Sequence, residues 1–485
     1  MTRWALILLA IAPLCGQRID RVAILNEFAE LLSLPNVARN VADMERNADK
    51  IIAMYAQRGI TLRRLDAAGG PAALYGEIVV SGARRTILFY AHYDGQPVVP
   101  TQWKNGGPFE PVLIDASGEK LAWPAAEATL GDDWRLQARS ASDDKAPIMA
   151  LLAALDSGVR PKANVKFVFD GEEEAGSPHM RGILERNRDL LRADGMIFCD
   201  GPVHQTRRQL IAFGARGNTT VNLTVYGPRR ELHSGHYGNF APNPAMMMAH
   251  LLASMKDEDG HVRIAGFYDD VVPLNEAEKK ALAEVPPVEE DLKREFGIGT
   301  TETPGKRLDE LLSLPALNIQ GFTSGGTGSE ARNVVPATAV VSIGIRLVKG
   351  MDPRKTSDQV AEHIRKQGYF VVRDREPTEE ERLANARVCQ VRSSRDGTRA
   401  VRVPLDAPFA ADVVRAVESA RGPVVKLPTM GGTLPIDVFE DVLGVPVIVV
   451  PIANHDNNQH SHNENIRLKN LWDGIVTVGA LLAME

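Results

Sequence analysis

Val168-Phe-Asp-Gly-Glu-Glu-Glu-Ala-Gly-Ser177 closes a largely apolar run that begins at Val165. The run has the length and flanks of a buried strand. It ends in three consecutive carboxylates and a glycine. In an open α/β sheet, chemistry collects where strands run out at their carboxyl ends. Three adjacent acids repel one another, so the cluster needs solvent or cations. An isolated Glu run is most often a solvated loop. The other strand ends decide between the two readings.

Thr86 to Ala91 reads as a strand and leads into His92-Tyr93-Asp94-Gly95. Residues two apart in an extended segment point the same way, so His92 and Asp94 address one place. Imidazole is a common zinc ligand, and a neighbouring carboxylate fixes its tautomer and orientation. A second apolar strand, Met196 to Cys199, ends in Asp200. A third, Val445 to Val450, leads into the His-rich loop Asn454 to Glu464. Asp143-Asp144 precedes a helix, Ile148 to Leu155, where paired acids serve either as N-caps or as a carboxylate that bridges cations. Each placement alone has a structural explanation. Together they point to a metal centre of mixed imidazole and carboxylate ligands, which suits Zn²⁺, with Mn²⁺ or Co²⁺ as alternatives.

The chain has 485 residues, enough for more than one domain. Its hydrophobic content of 44% and charged content of 24% are those of a soluble globular protein. A formal net charge of −6 leaves no basic footprint for nucleic acid. Arg3 followed by apolar Trp4 to Leu14 and the small Gly16 reads as an export signal over residues 1–16. The run is too short for a stable membrane span. Secretion into the periplasm or medium is therefore the expected location, with lipidation at Cys15 or a retained anchor as the rivals. Beyond Cys15 only Cys199 and Cys389 remain, too few for a disulfide framework.

Residues 20 to 60 read as helical, broken at Pro35, and 97 to 137 as an irregular segment over the site mouth. Ile211 to Tyr226 opens a new alternating pattern, the first strand of an inserted α/β domain. Asp257 to Leu314 reads as a charged helical surface. Gly325-Gly-Thr-Gly328 lacks the Gly-Lys-[Ser/Thr] of a phosphate loop. Val340 to Leu347 alternates into Arg346, which would either grip a carboxylate or form a structural ion pair. An amphipathic helix begins at Pro408. These changes divide the chain into a catalytic domain at 17–210 and 404–485 and an insertion at 211–403.

The ordered set Tyr90-Ala-His92-Tyr-Asp94, Ser142-Asp143-Asp144-Lys145, Gly171-Glu-Glu173-Glu174-Ala-Gly-Ser177, Cys199-Asp200, Leu232-His233-Ser-Gly235 and His460-Ser-His-Asn-Glu464 resembles the M20 family of metallopeptidases. That group contains carnosinase-like dipeptidases, aminoacylases and glutamate carboxypeptidases. The resemblance implies an α/β fold: a catalytic domain with a central, mostly parallel sheet flanked by helices, and a smaller α/β lid and dimerisation domain. It implies two metal ions. His92 and Asp200 would hold one, Glu174 and His460 the other, and Asp143 would bridge them. Asp94 would orient His92, and Glu173 would act as general base. His233 would help hold the substrate carbonyl oxygen, often across a homodimer interface. Arg346 would bind the substrate carboxylate, with Gly431, Gly432 and Thr433 in a glycine-rich substrate loop. The sequence departs from the family pattern at Ala138-Arg139-Ser140 and Ala146, where glycines are common. Asp200 favours a dipeptidase over an N-acyl amino acid deacylase or carboxypeptidase. A non-catalytic binding protein and a dimetal phosphoesterase are the rivals from other classes.

Overall fold

The computed structural model describes residues 19–393 and 397–485, so the expected export segment lies outside the described residues. The chain divides into two compact units. The first comprises Met1–Ala175, Arg415–Gly422 and Ile452–Glu485, and the second Gly176–Val414 and Pro423–Pro451. No helix among the described residues is long and apolar enough to cross a membrane.

In the first unit, strands Leu62–Leu65, Ala73–Ile78, Asn164–Asp170 and Thr86–His92 lie side by side in that order. The first two pairings are antiparallel and the last is parallel. The parallel register sets Thr86 opposite Asn164 and His92 opposite Asp170, so both strands run out together. Packing explains this register. Phe167 and Phe169 are fully buried and meet Tyr55 edge to face, with ring centroids 5.6 and 5.5 Å away. Burying each such ring stabilises the fold by roughly 2–3 kcal/mol. A one-residue slip would turn both rings to the other face. Tyr55 belongs to helix Val41–Ala56, and its hydroxyl donates to Ile148 O.

Helix Lys145–Asp156 is buried from Lys145 to Ala154 and packs on the C-terminal helix Leu468–Leu482. It begins three residues earlier than its apolar pattern suggests. Pro147 sits in its first turn, where a missing N–H costs nothing. The stretch 97–137, read as irregular, carries two short strands, Val112–Ile114 and Arg135–Gln137. With Asn465–Arg467 they form a three-stranded sheet.

In the second unit, Gly195–Phe198 pairs parallel with Val447–Val449, and Leu210–Ala212 parallel with Val425–Leu427. A separate five-stranded sheet has the order Ala316–Thr323, Thr338–Leu347, Gly217–Tyr226, Val388–Ser393, Phe370–Arg373. Its central strand alternates buried and less buried residues along its length, as a half-covered sheet requires. The covered face carries Val221, Leu223, Val225, Ile343 and Ile345. They share one core with Met248 and Leu251 of helix Pro244–Met255 and Val360 and Ile364 of helix Pro353–Lys366. Cys199 and Cys389 are buried and are not joined by a disulfide.

Candidate metal centre

The first unit brings His92, Asp94, Asp143, Glu173, Glu174 and His460 together. Two strand ends supply the first half of the group. His92 is the last residue of its strand and is fully buried. Its Nδ1 lies 3.2 Å from Asp94 Oδ1, and its Nε2 lies 2.9 Å from Asp143 Oδ1. The other strand stops at Asp170, and the chain turns through Gly171 into a short 3₁₀ turn, Glu173–Ala175. Asp94 fixes that turn. Its Oδ1 accepts the backbone N–H of Glu173 at 3.1 Å, and its Oδ2 that of Glu174 at 2.9 Å. Glu172 is buried, and its N–H donates to Asp170 Oδ1. The backbone of Glu173 and Glu174 is thereby set by a single carboxylate at the end of the neighbouring strand.

Asp143 is the hub. His92 reaches its Oδ1, and His460 Nε2 lies 3.2 Å from its Oδ2. His460 Nε2 is also 3.4 Å from Glu174 Oε2. Asp143, Glu174 and His460 each offer a ligand atom, and these atoms lie within 4.8 Å of one another. Glu173 Oε2 stands 3.9 Å from His92 Nε2, beside the group. The Asp143–Asp144 peptide is cis.

The electrostatics match this crowding. Burial disfavours a charged His92, yet the carboxylates of Asp143 and Asp94 outweigh it and raise the imidazole well above its usual value. Burial would raise Asp143, but hydrogen bonds from His460 and His92 hold it well below the usual carboxylate range. Glu174 is pushed up to about 8, by burial and then by the Asp143 charge. Buried carboxylates that converge this closely call for positive charge. Two imidazoles and several carboxylate oxygens form a donor set that fits divalent zinc, manganese or cobalt.

Several residues that sequence reasoning gave no role support this group. Glu464 is fully buried and accepts from Ser142 N–H, Ser142 Oγ and Asp143 N–H through Oε1. Its Oε2 accepts from Ser140 N–H and Arg139. Burial, and then the charge of Asp143, raises its carboxyl above the ordinary value against the pull of Arg139. Gln96 Nε2 donates to Glu174 Oε2 at 2.6 Å, and Gln459 Nε2 to Asp143 Oδ2 at 3.4 Å. The period-two rule applied to His92 and Asp94 extends to Gln96. Gln459 adjoins His460.

The remaining expected residues lie in the second unit. Asp200 is buried and follows strand Gly195–Phe198. His233 is exposed, its Nδ1 accepts the Gly235 N–H at 3.1 Å, and its ring lies 4.5 Å from that of His236. Arg346 donates to Thr433 Oγ1 at 2.5 Å. Gly431 packs under Leu312, where a Cβ would come within 2.9 Å of Leu312 Cδ2, whereas Gly432 faces open space.

The model of peptidase family M20/M25/M40 matches residues 88–484, and the chain belongs to this family. It is a metallopeptidase. Among its relatives is the Cys-Gly metallodipeptidase DUG1 of Candida albicans, 26% identical over 422 residues, covering 85% of this chain and 81% of that protein. The human Beta-Ala-His dipeptidase is 26% identical over 414 residues, covering 83% and 75%. Among solved structures, the M20 family metallo-carboxypeptidase Sso-CP2 from Sulfolobus solfataricus superposes with a TM-score of 0.77 at 26% identity, covering 95% of this chain and 98% of that one. Human carnosine dipeptidase 1 shares the fold, with a TM-score of 0.74 at 21% identity and 96% of each chain covered.

The relatives correct one expectation. Export was expected from the first residues, but the dipeptidases to which the chain is similar are mostly cytosolic enzymes. The expectation rested on composition alone, a short apolar run behind one arginine, in residues outside those the structure describes.

Proposed function

We propose that the chain is a dinuclear metal-dependent dipeptidase that hydrolyses the amide bond of small peptides. One observation carries the reading. The two oxygens of the Asp143 carboxylate are addressed from two sides, Oδ1 by His92 and Oδ2 by His460. A carboxylate so placed is suited to bridge two cations. By the family motif, Asp200 would join His92 in holding one ion, and Glu174 would join His460 in holding the other. Two divalent cations, Zn²⁺ by preference and Mn²⁺ or Co²⁺ otherwise, supply charge that polarises the scissile carbonyl and lowers the pKa of water.

The protein's own groups do the rest. Asp94 holds the His92 ring by Nδ1 and so aims Nε2 at the centre. Glu173 stands beside the ligands with its backbone anchored on Asp94. It takes a proton from the attacking water and returns it to the leaving nitrogen. His233 steadies the substrate carbonyl oxygen, and Arg346 with the 431–433 loop holds the substrate carboxylate. The relatives named for Cys-Gly and Beta-Ala-His support dipeptides as the substrate class. So does Asp200, where deacylase and carboxypeptidase members tend to carry Glu.

Residues 211–403 act as the lid and dimerisation domain. Their five-stranded sheet and its own hydrophobic core support that division. The edge strand Ala316–Thr323 is exposed from Asn318 onward and presents Ile319 and Phe322, a surface suited to pairing with a second copy.

The test is a panel of dipeptides and N-acyl amino acids with purified protein, before and after chelation and with each metal restored. Metal-dependent dipeptide cleavage is expected. Cleavage of acyl amino acids alone would move the function to deacylase. Release of phosphate from phosphomonoesters would move it to a different class.

A further inference from the structure

Two arginines converge beside the glycine-rich loop of the second unit. Arg216 follows the short strand Gly214–Ala215. Its backbone N–H donates to Met430 O at 3.1 Å, and its Nε to Gly431 O at 3.1 Å. Arg346 reaches the same loop from the neighbouring strand, through NH1 to Thr433 Oγ1. The register sets Arg346 opposite Asn218, two residues beyond Arg216. The two guanidiniums feel each other's charge: burial, and then Arg346, pulls Arg216 down to about 10.

No carboxylate lies within ion-pair distance of either guanidinium among the described residues, although both are partly shielded from solvent. Two other arginines of this unit show such pairing. Arg402 meets Glu278 at 3.0 Å, and Arg181 meets Asp441 at 2.9 Å. Cations drawn away from solvent are normally paired, and two at one loop without acids ask for an anionic ligand. Each uses part of its fork on the loop and keeps further N–H donors. A single carboxylate cancels only one of the two charges.

Resting on the dipeptidase reading above, we propose that Arg216 and Arg346 together receive two carboxylates of one substrate. These are the terminal carboxylate and the side-chain carboxylate of a C-terminal Asp or Glu. Arg216 is then a specificity residue that selects acidic dipeptides.

The experiment compares kcat/KM of the metal-loaded enzyme for Gly-Glu and for Gly-Gln, which match in shape and differ by one charge. Gly-Glu is expected to be better by about tenfold or more, the size of a charge-assisted hydrogen-bonded pair. Arg216→Met should bring the ratio to about one, and Arg216→Lys should leave part of it. Equal wild-type rates would overturn the proposal and leave the dipeptidase reading standing. So would a ratio unchanged by Arg216→Met, or an equal loss on both peptides. If neither peptide is cleaved, the dipeptidase reading has failed for these substrates. The pair is then judged by binding of L-glutamate against L-glutamine to the wild-type protein: tighter glutamate supports it, and equal binding overturns it. The same comparison decides the matter if Arg216→Met does not fold.

Discussion

Glu464 Oε1 accepts the backbone N–H of Asp143 at 3.0 Å. The side chain that receives both imidazoles is thus held from behind by a buried carboxylate that also gathers Ser140, Ser142 and Arg139. Glu464→Gln puts an amide donor where only acceptors fit. The turn at 140–143 should loosen and Zn²⁺ affinity should fall by about 10–100-fold, the usual effect of losing a group behind a ligand. Arg139, nearly sealed from solvent, also loses its ion pair, so Tm should drop. Chelator-competition titration beside a thermal melt reads both. Unchanged affinity in a destabilised variant would reduce Glu464 to a fold residue.

Glu173 and Glu174 are adjacent and should fail differently. Glu173→Ala should keep the metal content and lose turnover by about 10²–10⁴-fold, the range for a positioned general base. Glu174→Ala should lose one ion per chain. Metal analysis of both variants with kcat separates them, and substantial activity in Glu173→Ala removes it from the proton-transfer role.

Asp309 gives a pH prediction remote from the metal group. It lies in the second unit near Arg307 and Glu289, and burial is the first cause that raises its carboxyl to about 6 from the ordinary 3.8. Between those values the unfolded chain has released a proton that the folded chain keeps. Stability at this position is therefore full below about 3.8 and is lost as pH rises through about 6. Asp309→Asn should be more stable than wild type at pH 7, and the advantage should shrink as pH falls towards 4. Urea unfolding across that range checks it, and a variant less stable at pH 7 contradicts it.

The exposed edge strand supplies an assembly prediction. Ile319 and Phe322 are 47% and 46% exposed on a strand whose outer side has no partner strand among the described residues. Phe322→Lys should weaken self-association by at least about tenfold, since charge on an edge strand opposes pairing. Sedimentation velocity over a concentration series reads the shift. A wild-type protein that is monomeric at every concentration would remove the dimer altogether.

What the sequence made legible follows its periodicities. Thr86 to Ala91 and Val165 to Phe169 stood out as apolar runs; the strands extend to His92 and Asp170, and His92 with the turns that follow supplies the site. The alternation from Thr219 to Val225 and from Val340 to Leu347 marked two neighbouring strands of the five-stranded sheet. Strands of three residues carry no period. Val112–Ile114 and Arg135–Gln137 therefore disappeared into a segment rich in Pro and Gly. They form because Asn465–Arg467, over three hundred residues away in sequence, lies alongside. Arg216 was equally silent. Nothing local distinguishes it, and its meaning comes from Arg346 on another strand. Glu464 stood inside a quoted motif, yet its five donors belong to residues 139–143, which only the folded chain brings near.

The two N–H groups gathered by Asp94 set a rule about length as well as identity. Because the backbone of Glu173 and Glu174 is placed by which amide meets which oxygen, one residue gained or lost between Asp170 and Ala175 would shift the whole acid run past its anchor. A ligand would then stand where the base belongs, although every acid was still present. This short turn should accept substitutions at several positions but no change in its number of residues.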